Sequence, residues 1–181
     1  APLLRDENGD LVRSWDVPQA RRRQMRPRQK YTDPWPEGPT CTGYVSGACL
    51  LVRASAGLRF DERYFLYFED DDFCESARAA GHSLIIVPRA VVTHAGGRST
   101  EPTAARRRFK PHHPPLSRLV HAEKWQGVEV ARAEAWRWLL RHAGKALGHA
   151  LSFGWQRLPA DIGGVGGSLA WLRSQRRRRR A

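Results

Sequence analysis

Residues 57–99, GLRFDERYFLYFEDDDFCESARAAGHSLIIVPRAVVTHAGGRS, decide how the rest of the chain is read. An aromatic and apolar run, Tyr64 to Phe68, leads directly into four carboxylates, Glu69 to Asp72. A helical pattern follows from Asp72 to Ala80, and Gly81 stands where a left-handed residue ends a helix. The apolar run Leu84 to Val87 is stopped by Pro88. A second run, Ala90 to Thr93, delivers His94 into the small-residue loop Ala95-Gly96-Gly97. The spacing predicts acids at one end of a helix and a histidine at the end of a strand.

Four adjacent carboxylates repel one another, so some are expected to hold their protons more tightly than usual unless a cation lies near. After a buried aromatic strand, such a run suits a general base or a cation ligand. It equally suits the solvated start of a helix, where acids complement the macrodipole and Asp72 fits the N-cap. His94 reads either as a metal ligand or phosphate contact, or as a polar residue closing a strand. The backbone of Gly96-Gly97-Arg98-Ser99 suits a phosphate cradle. His112-His113, among prolines and arginines, reads as loop.

Outward from this stretch, Leu3-Leu4 and Leu11-Val12 flank Asn8-Gly9, a hairpin turn signal. Residues 18 to 40 form a basic, proline-punctuated loop. Val45 to Arg53 reads as a buried strand, with Gly47 and Ala48 small enough for another group to approach the backbone. The expected divisions are a catalytic part over 1–105, a basic linker over 106–121 and a helical basic tail over 122–181. In that tail Arg137, Arg141, Lys145 and His149 recur every four residues, opposite Trp136, Leu139, Leu140, Ala143, Leu147, Ala150 and Leu151. Glu134 projects on the basic side, and Gly144 and Gly148 weaken the helix. Asp161 to Gly167 reads as a glycine-rich break.

The chain has 181 residues and a net charge of +13, nearly all from arginine. That length supports one domain with a sizeable core. The charge suits an anionic partner: nucleic acid, a phosphorylated small molecule or an anionic membrane face. Cys41, Cys49 and Cys74 show no metal spacing and read as small buried residues in a reducing cytosol. No secretory leader and no membrane-spanning run is read.

The order SGACLLVR, LRFDERYFLYFEDDDFC, a short helix ending in AGH, then IIVPRAVVTHAGGRS resembles the second half of the catalytic domain of family-two glycosyltransferases, in their bacterial rhamnosyltransferase-like branch. The resemblance covers roughly residues 1–100. It implies an α/β fold: the acceptor-side half of a Rossmann-like GT-A domain, followed here by a basic amphipathic helical tail. Asp70 is implied as the general base, with Glu69 beside it. His94 is implied to hold Mg²⁺ or Mn²⁺ and the donor diphosphate. Gly47, Ala48, Asp71, Asp72 and Arg98 are the implied donor- or acceptor-binding residues. The implied reaction is inverting transfer from a nucleotide-sugar donor to a glycan or glycolipid hydroxyl.

This chain has Ser76 where the family carries an arginine, and no stretch over 1–40 supplies the family's nucleotide-binding strand and DxD motif. The chain is therefore expected to be a C-terminal portion that alone transfers no sugar. The expected location is the cytoplasm, peripheral at the inner face of the plasma membrane, with the tail on anionic lipid. The alternatives are a non-enzymatic basic module on nucleic acid or membrane, or a catalytically dead remnant. Nucleic acid is disfavoured, because the basic residues lie in loops and tail while the best-structured stretch is acidic.

Overall fold

The chain opens on the hairpin that its turn residues dictate. In the computed structural model, which describes residues 1–16, 35–95 and 110–178, strand β1 (Pro2–Arg5) pairs antiparallel with β2 (Leu11–Val12). Asp6 closes the turn, its Oδ1 accepting the N–H groups of Asn8 and Asp10 at 2.9 Å each. Gly9 takes the left-handed φ of 90° that the turn requires.

Two compact units make up the molecule. The first comprises Ala1–Asp61 with Glu69–Thr100, the second Glu62–Phe68 with Glu101–Ala181. In the first, β3 (Trp15–Asp16) pairs with β5 (Tyr44–Val45). Strand β6 (Leu84–Thr93) runs parallel to β1 and antiparallel to β4 (Thr40–Thr42), giving a mixed sheet in the order β2-β1-β6-β4. The α/β class is therefore as expected.

Several local expectations are corrected. Pro88 does not divide β6. Pro2 lies opposite Val87 and Leu3 opposite Val91, so the ladder skips the intervening residues. Proline has no N–H to give a ladder, and a bulge removes that demand. The buried strand expected over Val45–Arg53 ends at Val45. The Gly47 N–H turns to a side chain instead of a neighbouring strand, and Leu51 is 95% exposed. Tyr64–Phe68 is not a strand.

Helix α1 (Glu69–Ala79) starts three residues before the expected position, with all four acids in its first turn. Free N–H groups and the dipole favour carboxylates there. Asp72 is thus no N-cap; it lies inside the helix, 1% exposed. Gly81, at φ 82°, ends the helix as expected: its N–H reaches Arg78 O, and the His82 N–H reaches Ala77 O. Cys74 and Ala77 from this helix join Leu3, Trp15, Val45, Leu84 and Ile86 in the core. Of the other cysteines, Cys41 is exposed on the edge strand β4 and Cys49 is half-buried, so only Cys74 is a core residue.

The second unit contains α2 (His113–Gln126), α3 (Val128–Leu151) and α4 (Leu158–Arg178). Helix α2 begins inside the stretch expected as linker. Pro114 and Pro115 occupy its first turn, where a missing N–H costs no hydrogen bond. The glycine-rich segment Asp161–Gly167, expected as a break, is helical. A Cβ on Gly163 would sit 2.5 Å from the Pro111 Cβ, and one on Gly167 2.5 Å from the His112 carbonyl oxygen. Close approach of the preceding segment thus offsets the weak helix propensity of glycine, about 1 kcal/mol per residue.

Leu119, Ala122, Ala131, Ala135 and Trp171 form the second core. Trp171 Nε1 and Gln175 Nε2 both donate to Glu123 Oε2, at 2.9 and 2.8 Å. The buried face of α3 is Ala131, Glu134 and Ala135. Glu134, expected on the basic side, is buried with the Arg118 Nε at 3.5 Å. His149, expected in the basic stripe, turns onto the buried Asp161 at 2.7 Å. Small residues and charged pairs let the helices close on one another, and Trp136, Leu140, Leu147 and Leu151 of α3 are left exposed.

Candidate functional site

The first turn of α1 brings the acid run against the β5 segment. Asp70 Oδ2 accepts a hydrogen bond of 2.6 Å from the Tyr44 hydroxyl and one of 3.1 Å from the Gly47 N–H. Its Oδ1 accepts the N–H of Asp71 at 3.1 Å. Three donors therefore fix the carboxylate in place and orientation. Oδ2 carries two of them, and Oδ1 keeps the greater capacity for a further partner. A Cβ on Gly47 would lie 3.2 Å from the Asp70 Cβ. The close approach expected at Gly47 is thus made by Asp70 itself.

Tyr44 was not singled out by the sequence reading; it directly precedes the VSGACLLVR stretch. Burial, with the Asp70 and Asp71 charges and the hydrogen bond to Asp70, pushes its phenol well above the usual tyrosine range. It stays a hydroxyl and donates. Cys74 supports the same geometry from one turn further along α1. Its Sγ lies 3.4 Å from both the N and O of Val45, and burial pushes the thiol up to about 12. A thiol of that kind packs and does not react.

Glu69 is set differently. Its Oε2 is buried without a hydrogen-bond partner. Burial raises its carboxyl above the usual range, and the Asp70 charge adds to this against a bond from its own backbone. A raised carboxyl is expected within the acid run, but burial and not charge repulsion is its larger cause. The backbone just before it is strained: Tyr67 and Phe68 both take left-handed φ, 68° and 67°. Such residues cost of order 1–3 kcal/mol each and gather where a site over-determines the backbone.

The other expected residues are spread more widely. Asp71 is half-buried and Asp72 buried in the helix turn. Ala48 is exposed, its N–H reaching Ser46 Oγ at 3.3 Å. His94 is exposed at the end of β6, its N–H bonded to Arg5 O at 2.8 Å. Among the described residues no three His, Cys, Asp or Glu side chains gather as a cation site. Arg98 and the Gly96-Gly97 loop lie outside the described residues. A cleft of about 640 Å³ in the same unit, with a mixed lining that includes Leu50, Arg53, Phe73 and His82, does not include Asp70.

The first unit is thus an α/β unit whose acid helix presents a donor-fixed aspartate. Over 118 residues the chain is 36% identical to N-acetylglucosaminyl-diphospho-decaprenol L-rhamnosyltransferase of Mycobacterium tuberculosis, in strain CDC 1551 / Oshkosh and in strain ATCC 25618 / H37Rv. The match covers 55% of this chain and 38% of each relative. The chain thus spans well under half the length of the curated relatives it matches. This similarity bears out the resemblance to rhamnosyltransferase-like glycosyltransferases. No family model matches the chain, and no solved structure does.

Proposed function

We propose that this chain carries the base-bearing, acceptor-side part of an inverting glycosyltransferase. The donor is a nucleotide-activated sugar, rhamnosyl by analogy with the relatives' names, and the acceptor is a hydroxyl of a lipid-diphosphate-linked glycan. The observation that supports this is the carboxylate of Asp70, held by Tyr44 and Gly47 with Oδ1 least encumbered.

Asp70 Oδ1 takes the proton of the acceptor hydroxyl. The hydroxyl oxygen attacks the anomeric carbon from the face opposite the leaving group. The new glycosidic C–O bond forms as the bond to the nucleotide diphosphate breaks, and that bond's electron pair leaves with the diphosphate. Tyr44 is a positioning residue, since its hydroxyl acts through Asp70. Glu69, with its raised carboxyl, shapes the charge beside the base. His94 would help hold Mg²⁺ or Mn²⁺, which when bound would neutralise the departing phosphates. Acceptors of this kind place the protein at a membrane periphery. No helix among the described residues is long and apolar enough to cross a membrane.

The test is sugar transfer to a prenyl-diphosphate-linked acceptor by the protein as its gene encodes it. Asp70→Asn is expected to lower kcat by about 10²–10⁴-fold with donor binding retained. Near-normal turnover in Asp70→Asn, with loss in Asp71→Asn, would place the base one residue further on.

A further inference from the structure

The outer face of α3 has no use in the transfer chemistry. Trp136, Leu140, Ala143, Leu147 and Leu151 recur at helical spacing on the side away from Ala131, Ala135 and His142. The large residues of this stripe, with Phe153 and Trp155 at its end, are between 48% and 78% exposed. Such a contiguous apolar surface needs an occupant.

Charge identifies the occupant. Arg137 and Arg141 run along one flank of the stripe, and with Lys145 they are exposed. Between residues 135 and 160 there is no acid. The acids on either side are all engaged: Glu129 pairs with Arg132, Glu134 is buried with Arg118, and Asp161 is buried between His142 and His149. An apolar stripe with a one-sign basic border complements a surface that is apolar below and anionic above. The stripe from Trp136 to Leu151 is about 23 Å long, and no described helix is built to span. It is suited to lying flat, with aromatic rings at headgroup depth.

We infer that α3 is the docking face for an anionic bilayer. Trp136, Leu140, Leu147 and Leu151 enter the acyl boundary, and Arg137 and Arg141 meet the headgroups. This inference does not rest on the glycosyltransferase reading.

The test uses the full chain with phosphatidylcholine vesicles, with and without phosphatidylglycerol. Co-sedimentation is expected only with phosphatidylglycerol present, together with quenching of tryptophan fluorescence by brominated acyl chains. Leu140→Asn with Leu147→Asn keeps the charge and changes exposed positions only. It is expected to lower partitioning at least tenfold and abolish the quenching, with an unchanged circular-dichroism melt. Arg137→Gln with Arg141→Gln should weaken binding at low salt by roughly 30-fold, and Asp70→Asn should bind as the native chain does. Three results would overturn the inference: no binding, equal binding to both vesicles, or binding indifferent to Leu140→Asn with Leu147→Asn. So would conversion of a self-associated chain to monomer by that pair with vesicle binding intact, which would assign the stripe to a second copy.

Discussion

Asp70 and Asp161 each lie in the first turn of a helix, and they are held in opposite ways. Asp70, in α1, is half-buried and meets a phenol and two backbone N–H groups, with one oxygen lightly engaged. Asp161, in α4, is buried, and each oxygen is closed by an imidazole: His142 Nδ1 at 2.9 Å and His149 Nδ1 at 2.7 Å. An ionised carboxylate only accepts, so each Nδ1 carries the hydrogen. Burial works to raise the Asp161 carboxyl, but the bonds and charges of His142 and His149 outweigh it and hold it below the usual range. The first arrangement positions a carboxylate and leaves it open to a substrate. The second clasps α3 to α4. A helix start with an acid is therefore no guide to function until its partners are known.

The comparison can be broken by crossing the two substitutions. Asp70→Asn should cost about 10²–10⁴-fold in turnover and leave the thermal midpoint nearly unchanged. Asp161→Asn should spare the α1 geometry and destabilise the second unit by about 1–3 kcal/mol, read as a lower midpoint. If Asp70→Asn unfolded the chain while Asp161→Asn abolished transfer, the two roles would have to be exchanged.

Tyr44→Phe sharpens the Asp70 side. The ring still fills its place, but the 2.6 Å bond is lost. A hydrogen bond to a charged group contributes about 1.5–3 kcal/mol, so kcat is expected to fall roughly tenfold or more. Donor KM should hold, and a uniform rise in KM at constant kcat would remove the positioning role.

The Asp161 side has a pH signature. A depressed carboxyl contributes stability that is present above its unfolded value, near 3.8, and is lost as pH falls through the folded value below it. The second unit should therefore melt earlier as pH drops below about 4, and Asp161→Asn should flatten this dependence. Acid melts followed by circular dichroism decide it.

The smallest effects test why glycine-rich α4 is a helix. Gly163→Ala meets Pro111 at 2.5 Å and is expected to destabilise by about 1–3 kcal/mol. Gly144→Ala, in α3 with nothing within 4 Å, should instead stabilise by up to about 1 kcal/mol. Equal and favourable shifts at both positions would show that α4 does not pack closely on the Pro111 segment.

By itself the sequence determined what a residue's own backbone and charge can dictate. Asn8-Gly9 made a turn, Gly81 ended a helix, and the run Glu69–Asp72 marked where that helix starts to within three residues. The motif order also carried the resemblance that the mycobacterial relatives support. The tertiary structure decided the contacts between distant residues. Tyr44 and Asp70 are 26 positions apart, and nothing local in either announces the other. Which side of α3 is buried was likewise undecided by periodicity, since apolar spacing selects a stripe but not its partner. Alanine and glycine faces brought α2, α3 and α4 together, and the larger apolar stripe was left to solvent. The glycines of α4, a break by propensity, became helical because only they let the Pro111 segment approach so closely. Propensities are worth about 1 kcal/mol per residue, and the packing that overrides them exists only once distant segments meet.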